Sequence, residues 1–378
     1  MRIAIVRKKY TFHGGAEGIL HDIITKLAAA GHEIHIYAIK WDSNNAAEEF
    51  HFHKVPVIPF NSFLRDLTFV ISSYFMLRKK RNYFDIIQSH DKTVYQDICF
   101  VADGCHIEWL KQRWQRKGLP GKLSIMFNPY HWLILLIERV MYNGHRFRKI
   151  FALSYMVKKD IVQNYHVRSD EIDVVYHWID TDRFHPDNRE KYRKTIRETY
   201  SIADDDFVIL FVGSGFERKG VEYIIKAAEM LSGPVTILIV GKGDGRYYQR
   251  FIMKQKVIFC GAQKDVHTYY AASDIFILAP VYEPLGLVYL EAMASGLPVI
   301  MTRNSGAAEL ITNGVHGYVV NEPEDIKGIA GSMQVLVDNI EQRKAMSKNA
   351  RCLAEEFTFE KHIGRIRELY KSIIDKEG

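Results

Sequence analysis

Short apolar runs that end in a glycine turn, pass into a segment of helical period and return to another apolar run occur in both halves of this chain. That alternation restricts it to open, mostly parallel α/β sheets. In the first half, Arg2-Ile3-Ala4-Ile5-Val6 reads as a strand and Gly14-Gly15 as a turn. An amphipathic helix follows to about Ala30, Gly31 stops it, and residues 33–39 form the next strand. Apolar runs at 84–88 and 149–153 extend the sheet, and 64–80 and 125–142 have helical period. In the second half, strands are predicted at Phe207–Val212, Val235–Gly241, Val257–Phe259, Asp274–Leu278 and Pro298–Met301, with helices at 217–231, 286–295 and 323–339. A length of 378 residues suits two domains. They are placed at 1–172 and 173–357, with a last helix in 358–378 expected to pack back on the first. Residues 176–186, aperiodic and ending at Pro186, read as the linker. Two doubly wound, Rossmann-like sheets of this kind are expected to face each other across a cleft, because ligands in such folds lie beyond the carboxyl ends of the strands.

Charge is uneven. Residues 1–150 hold 22 Lys and Arg against 13 Asp and Glu, whereas the rest holds 29 against 32. Nine of the basic residues fall in 104–150, interleaved with Trp109, Trp114, Phe127, Tyr130 and Trp132. A basic, aromatic-rich segment suits either an anionic membrane surface or a solvated face with its rings in the core. Residues 132–137 are too short to cross a bilayer. Arg7-Lys8-Lys9 and His13 interrupt the apolar stretch of residues 1–20, so no secretory leader is read and a cytoplasmic protein is expected. Cys99, Cys105, Cys260 and Cys352 show neither CxxC nor zinc spacing and are expected to be free thiols.

Two constellations carry chemistry. Gly213-Ser214-Gly215-Phe216-Glu217-Arg218-Lys219-Gly220 follows a strand and opens a helix. Glycine lets a ligand approach the backbone, a helix start favours an anion, and Arg218 and Lys219 add two cations able to neutralise a diphosphate. In the second, Glu283-Pro284-Leu285-Gly286-Leu287 precedes a helix that carries Glu291. The amides of Leu285, Gly286 and Leu287 are free to meet phosphate oxygens. Glu283 and Glu291 straddle that point, which fits a diphosphate with a hydroxyl-rich ring on each side.

With Ala292-Met293-Ala294-Ser295-Gly296-Leu297-Pro298 following, the glutamate pair resembles that of the retaining, nucleotide-sugar-dependent glycosyltransferases of GT-B fold, family 4. Gly213 with Arg218-Lys219-Gly220, Gly14-Gly15, and Gly306, Glu309 and Gly317 are similar to the same family's motifs. Chain length, the Gly213–Gly220 pattern and Ala102-Asp103 before the basic segment resemble the branch that glucosylates lipopolysaccharide core. The resemblance implies a UDP-sugar donor, a glycolipid-linked acceptor and no cofactor or metal. It gives Arg218 and Lys219 the diphosphate, Glu283 the transferred sugar, Leu285, Gly286 and Leu287 the phosphate and sugar, and Glu291 the ribose. It also puts Gly15 near the diphosphate, Val266 at the base, and Asp103 toward the acceptor. His13 and His177-Trp178-Ile179-Asp180 depart from the family's pattern, which leaves the sugar open.

Other candidates read more plainly. Asp180-Thr181-Asp182 and Asp204-Asp205-Asp206 are expected to be turn or cap residues rather than metal ligands. His51 and His53 alternate on a strand and are expected to face solvent rather than bind a metal. His106, near Asp103, is a candidate base. A UDP-N-acetylglucosamine 2-epimerase of the same fold and a basic nucleic-acid-binding protein remain the alternatives, while the missing GxGxxG argues against a dehydrogenase.

Overall fold

The structure, a computed structural model, describes residues 1–10, 15–41, 50–144 and 147–375. The chain divides into two compact units, Met1–His177 with Glu360–Gly378, and Trp178–Phe359.

In the first unit, a sheet is built from β1 (Arg2–Val6), β3 (Glu33–Ala38), β5 (His51–Lys54), β6 (Ile86–Ser89), β7 (Ile98–Val101), β8 (Lys149–Ala152) and β9 (Ile172–Val174), and β2 (Lys9–Tyr10) pairs with β4 (Lys40–Trp41). The order is β5-β3-β1-β6-β7-β8-β9, and every pair is parallel. Such strands are covered on both faces, which explains why β1, β6 and β7 are buried almost throughout. The helices are α1 (Gly15–Ala29), α2 (Ser62–Lys79), α3 (His106–Arg116), α4 (Leu119–Met126), α5 (Pro129–Asn143) and α6 (Tyr155–Tyr165). The single helix predicted at 125–142 is two, because Asn128 caps the amide of Tyr130 and Pro129 occupies the first turn of α5.

The second unit has α7 (Asn188–Thr199), then β10 (Val208–Val212), α8 (Val221–Ala228), β11 (Thr236–Val240), β12 (Lys256–Gly261), α9 (His267–Ala272), β13 (Ile275–Leu278), α10 (Leu287–Ala294), β14 (Val299–Thr302), β15 (Gly317–Val320), α11 (Ile326–Asp338) and α12 (Ile340–Ala354). Its parallel sheet runs β12-β11-β10-β13-β14-β15. Strand order reverses between β10 and β13, so the loops leaving their carboxyl ends flank the crevice where ligands bind in doubly wound folds.

Arg197, fully buried, ties the second unit's amino-terminal part to this sheet. Its guanidinium donates to the carbonyls of Ala203, Asp204, Asp206 and Ala272 and pairs with Asp274 at 3.1 Å. The Asp204–Asp206 run is thus a turn folded round an arginine. The last helix, α13 (Phe359–Ile374), packs on the first unit, where Tyr370 donates to Gln88 at 2.7 Å and Arg365 pairs with Asp173 at 3.0 Å.

Candidate active site

The loop after β10 and the loop after β13 interlock. The amide of Val281 donates to the Arg218 carbonyl at 2.9 Å. A Cβ on Gly220 would lie 1.9 Å from the Ala279 carbonyl oxygen, and φ is +79° there, so only glycine permits this approach. That αL residue caps α8, which therefore begins at Val221 rather than at the predicted 217. Arg218 and Lys219 consequently sit in the turn before the helix, aimed across at the second loop.

There both cations meet one carboxylate oxygen. Arg218 Nη1 lies 3.1 Å and Lys219 Nζ 3.2 Å from Glu283 Oε2, and Arg218 also donates to the Tyr282 carbonyl at 3.1 Å. Glu283 is held by its backbone too: its amide donates to Asn304 at 2.8 Å and its carbonyl accepts from Gly306 at 2.8 Å. The Lys219 stem runs so close to Gly213 that a Cβ on Gly213 would lie 2.5 Å from Lys219 Cδ.

Gly286 caps α10 in the αL region, at φ 83°. Among the described residues, the amides of Leu285, Gly286 and Leu287 donate to no protein acceptor. Within α10, Glu291 is buried, and its Oε2 accepts from the Tyr270 hydroxyl at 2.8 Å. Burial raises its pKa above the ordinary carboxylate value, against the pull of Tyr270, Arg183 and Lys219. Val266 caps α9, the helix that carries Tyr270. Two cations, two carboxylates and three free amides are thereby gathered at the strand-order reversal, with Val266 on the helix that orients Glu291.

The remaining predicted residues lie in the first unit. Gly15 opens α1, while His13 and Gly14 lie outside the described residues. Asp103 is exposed in the turn after β7, beside the αL residue Gly104. His106 does not stand free as a base: its Nε2 faces His131 Nδ1 at 3.2 Å. Burial, with Lys92 and His131, pushes its pKa down to about 3. Sequence reasoning missed the group that shapes this turn. Lys92 donates to the Gly104 carbonyl at 3.2 Å and pairs with Glu138 at 3.3 Å, while Glu138 accepts from the His106 amide at 2.7 Å. Burial opposes the charge of Lys92, but Glu138 and Asp103 outweigh it and raise its pKa. A glutamate inside the apolar run 131–141 was the visible signal.

Fold and site together define a glycosyltransferase of GT-B fold. Residues 13–183 match the Glycosyltransferase Family 4 domain and residues 192–352 match Glycosyl transferases group 1, and the chain belongs to that class. It is 25% identical to the lipopolysaccharide glucosyltransferase WaaG of Escherichia coli strain K12, over 94% of both chains. The crystal structure of WaaG, described as a glycosyltransferase involved in lipopolysaccharide biosynthesis, superposes with a TM-score of 0.81 at 24% identity, covering 97% of this chain and 99% of that one. Anabaena HepE in complex with UDP-glucose shares the fold, with a TM-score of 0.71 at 18% identity over 98% of this chain and 100% of that one.

Proposed function

We propose that this glycosyltransferase moves a hexose, glucose in the sharpest form of the reading, from a UDP-sugar to a glycolipid-linked acceptor of the lipopolysaccharide-core type, with retention of anomeric configuration. The second unit binds the donor and the first the acceptor. The observation that carries the reading is the joint hold of Arg218 and Lys219 on Glu283 beside the free amides of 285–287. When the anomeric C–O bond breaks, its electron pair stays on the diphosphate. Fixed cations and amides stabilise that charge without reorganising, so the charge compensation comes from the protein and no metal is required. Glu283 then grips the sugar, Glu291 the ribose, and Val266 lies at the base. The resemblance assigns Asp103 to the acceptor and Gly15 to the diphosphate.

The donor is tested by thermal shift against UDP-, GDP- and ADP-sugars, since a bound ligand stabilises the folded state. Only the UDP-sugars are expected to raise the melting temperature. Incubation of the donor with and without a core-oligosaccharide acceptor tests the reaction. Conversion of the sugar without acceptor would instead identify an epimerase.

A second element of the reading is peripheral contact with an anionic leaflet, at the cytoplasmic face of the inner membrane. On α5, Trp132, Leu136 and Val140 recur every fourth residue and are 61%, 59% and 39% exposed. The opposite stripe of Leu133, Ile134 and Ile137 packs with Val70 of α2. The segment predicted as either core or headgroup contact is therefore split by face. Leu119 and Phe127 are also exposed, at 71% and 68%, and Lys111 and Arg139 are exposed too. Among the described residues no helix is long and apolar enough to cross a membrane. Exposed apolar side chains among cations suit insertion at the headgroup level. Flotation with vesicles containing anionic lipid tests it: binding is expected, and Trp132→Ser with Leu136→Ser is expected to abolish it.

A further inference from the structure

The parallel register of β3 and β5 sets His35 opposite His51 and Tyr37 opposite His53. Opposite residues share a sheet face, as do residues two apart on one strand, so Glu33 joins them. The rings stack in a column: His35 on His51 with centroids 4.6 Å apart, His35 on His53 at 5.1 Å, and Tyr37 on His53 at 4.5 Å. His53, expected from the sequence to face solvent, is half-buried by this stacking, whereas His51 remains exposed. One ligand atom from each of Glu33, His35 and His51 lies within 4.8 Å of the other two. Glu33 Oε1 is 2.9 Å from His35 Nε2 and 3.8 Å from His51 Nε2.

We propose that Glu33, His35 and His51 form a binding site for a borderline divalent transition ion, Zn²⁺ first, that staples the edge strand β5 to β3. Two imidazoles and a carboxylate are a Zn²⁺ donor set, and Ni²⁺, Co²⁺ and Cu²⁺ accept it too, while Mg²⁺ and Ca²⁺ prefer oxygen donors. The surroundings have the features of a ligand shell. His35 Nδ1 lies 2.8 Å from His53 Nε2, so with Nε2 on the ion its Nδ1–H donates to His53. Both rings stay neutral in that tautomer, and no proton is lost. Tyr83 donates its hydroxyl to Glu33 Oε1, and Tyr83 and Phe84 pack edge-on against the His35 ring. That hydroxyl, then His35, hold the Glu33 carboxyl down to about 2, and burial keeps His35 and His53 below the usual imidazole range. The side chains of His51 and Glu33 are 61% and 37% exposed, so the ion has an entry path and a coordination position left for water.

Two cations oppose binding. Arg2 Nε lies 3.5 Å from Glu33 Oε2, and Lys80 acts on both His35 and His53. Glu33, His35 and His51 are the first, third and first residues of their strands, at the amino end of the sheet. The binding loops leave the carboxyl end, so the ion is structural rather than catalytic.

The experiment is calorimetric titration of the full-length, tag-free protein with ZnCl₂, with Co²⁺ absorption and melting temperature read alongside. One equivalent is expected to bind, raise the melting temperature reversibly with EDTA, and resist excess Mg²⁺. His51→Ala, on an exposed edge strand, is expected to fold and to weaken this binding at least tenfold without altering glycosyl transfer. Arg2→Gln is expected to tighten it severalfold. Absence of stoichiometric Zn²⁺ binding at 100-fold molar excess, or equal affinity in His51→Ala, would overturn the proposal.

Discussion

Replacing Lys219 by alanine tests the proposed donor site most directly. The wild-type side chain is 12% exposed, its ammonium lies 3.2 Å from Glu283 Oε2, and Arg218 holds the same oxygen at 3.1 Å. Alanine at 219 therefore leaves Glu283 with one partner and an intact backbone clamp to Asn304 and Gly306. The fold is expected to survive with a small loss of melting temperature. Turnover is a different matter, because on the proposed reading Lys219 meets the charge that grows on the diphosphate as the sugar departs. Removing one preorganised electrostatic group of this kind costs ~3 kcal/mol, or about 10²-fold in kcat. Gly213→Ala is the matched perturbation. Its Cβ would sit 2.5 Å from Lys219 Cδ, which obliges a flexible stem to move while keeping the charge. It is expected to lower kcat by about tenfold, an intermediate loss set by displacement rather than deletion. A UDP-release assay at saturating donor, with circular dichroism on each variant, measures both. Wild-type kcat in folded Lys219→Ala would remove the lysine from the leaving-group role, and so would a Gly213→Ala loss larger than that of Lys219→Ala.

Three further outcomes follow from the same geometry. Glu291→Gln removes a buried charge while keeping an acceptor for Tyr270, so UDP affinity by calorimetry should fall at least fivefold with the melting temperature unchanged or raised; a lower melting temperature with normal affinity would contradict the ribose assignment. Arg197→Ala would strip several carbonyls and Asp274 of a buried partner, and a loss of about 3–5 kcal/mol in urea unfolding is expected; a loss below 1 kcal/mol, in urea, would refute its part in the second unit. Buried His177 has its pKa pushed to about 3 by burial, then by His362 and Arg7, and burial drives His90 down as well. Depressed folded-state values mean that the unfolded chain binds more protons below about pH 6.5, so the stability present above that pH is lost as pH falls toward 3. The expected loss at pH 4.5 is about 3 kcal/mol from His177, with a further loss in the same direction from His90, and an unchanged urea midpoint between pH 7.5 and 4.5 would exclude it.

Much of the layout of the candidate site was legible in the sequence, because its determinants are local. Gly213–Gly220 and Glu283–Glu291 each occupy a single strand-to-helix junction, where chain order and helical period place the side chains. The edge strand β5 and the four-residue β7 carried weaker signals, since polar alternation and short length give little periodicity to read. Chain order also could not show that Arg218 and Lys219 share one oxygen of Glu283, across 65 residues of sequence.

Local patterning determined that this chain alternates strand and helix, and which junctions bear cations, acids and free amides. Strand order decided the rest. It brought β10 beside β13, paired Lys92 with Glu138, and aligned His35 with His51 across β3 and β5. Those contacts join residues far apart in the chain, and their free energy comes from covering whole sheet faces at once. No window of neighbouring residues records that cooperation, so only the assembled structure reveals it.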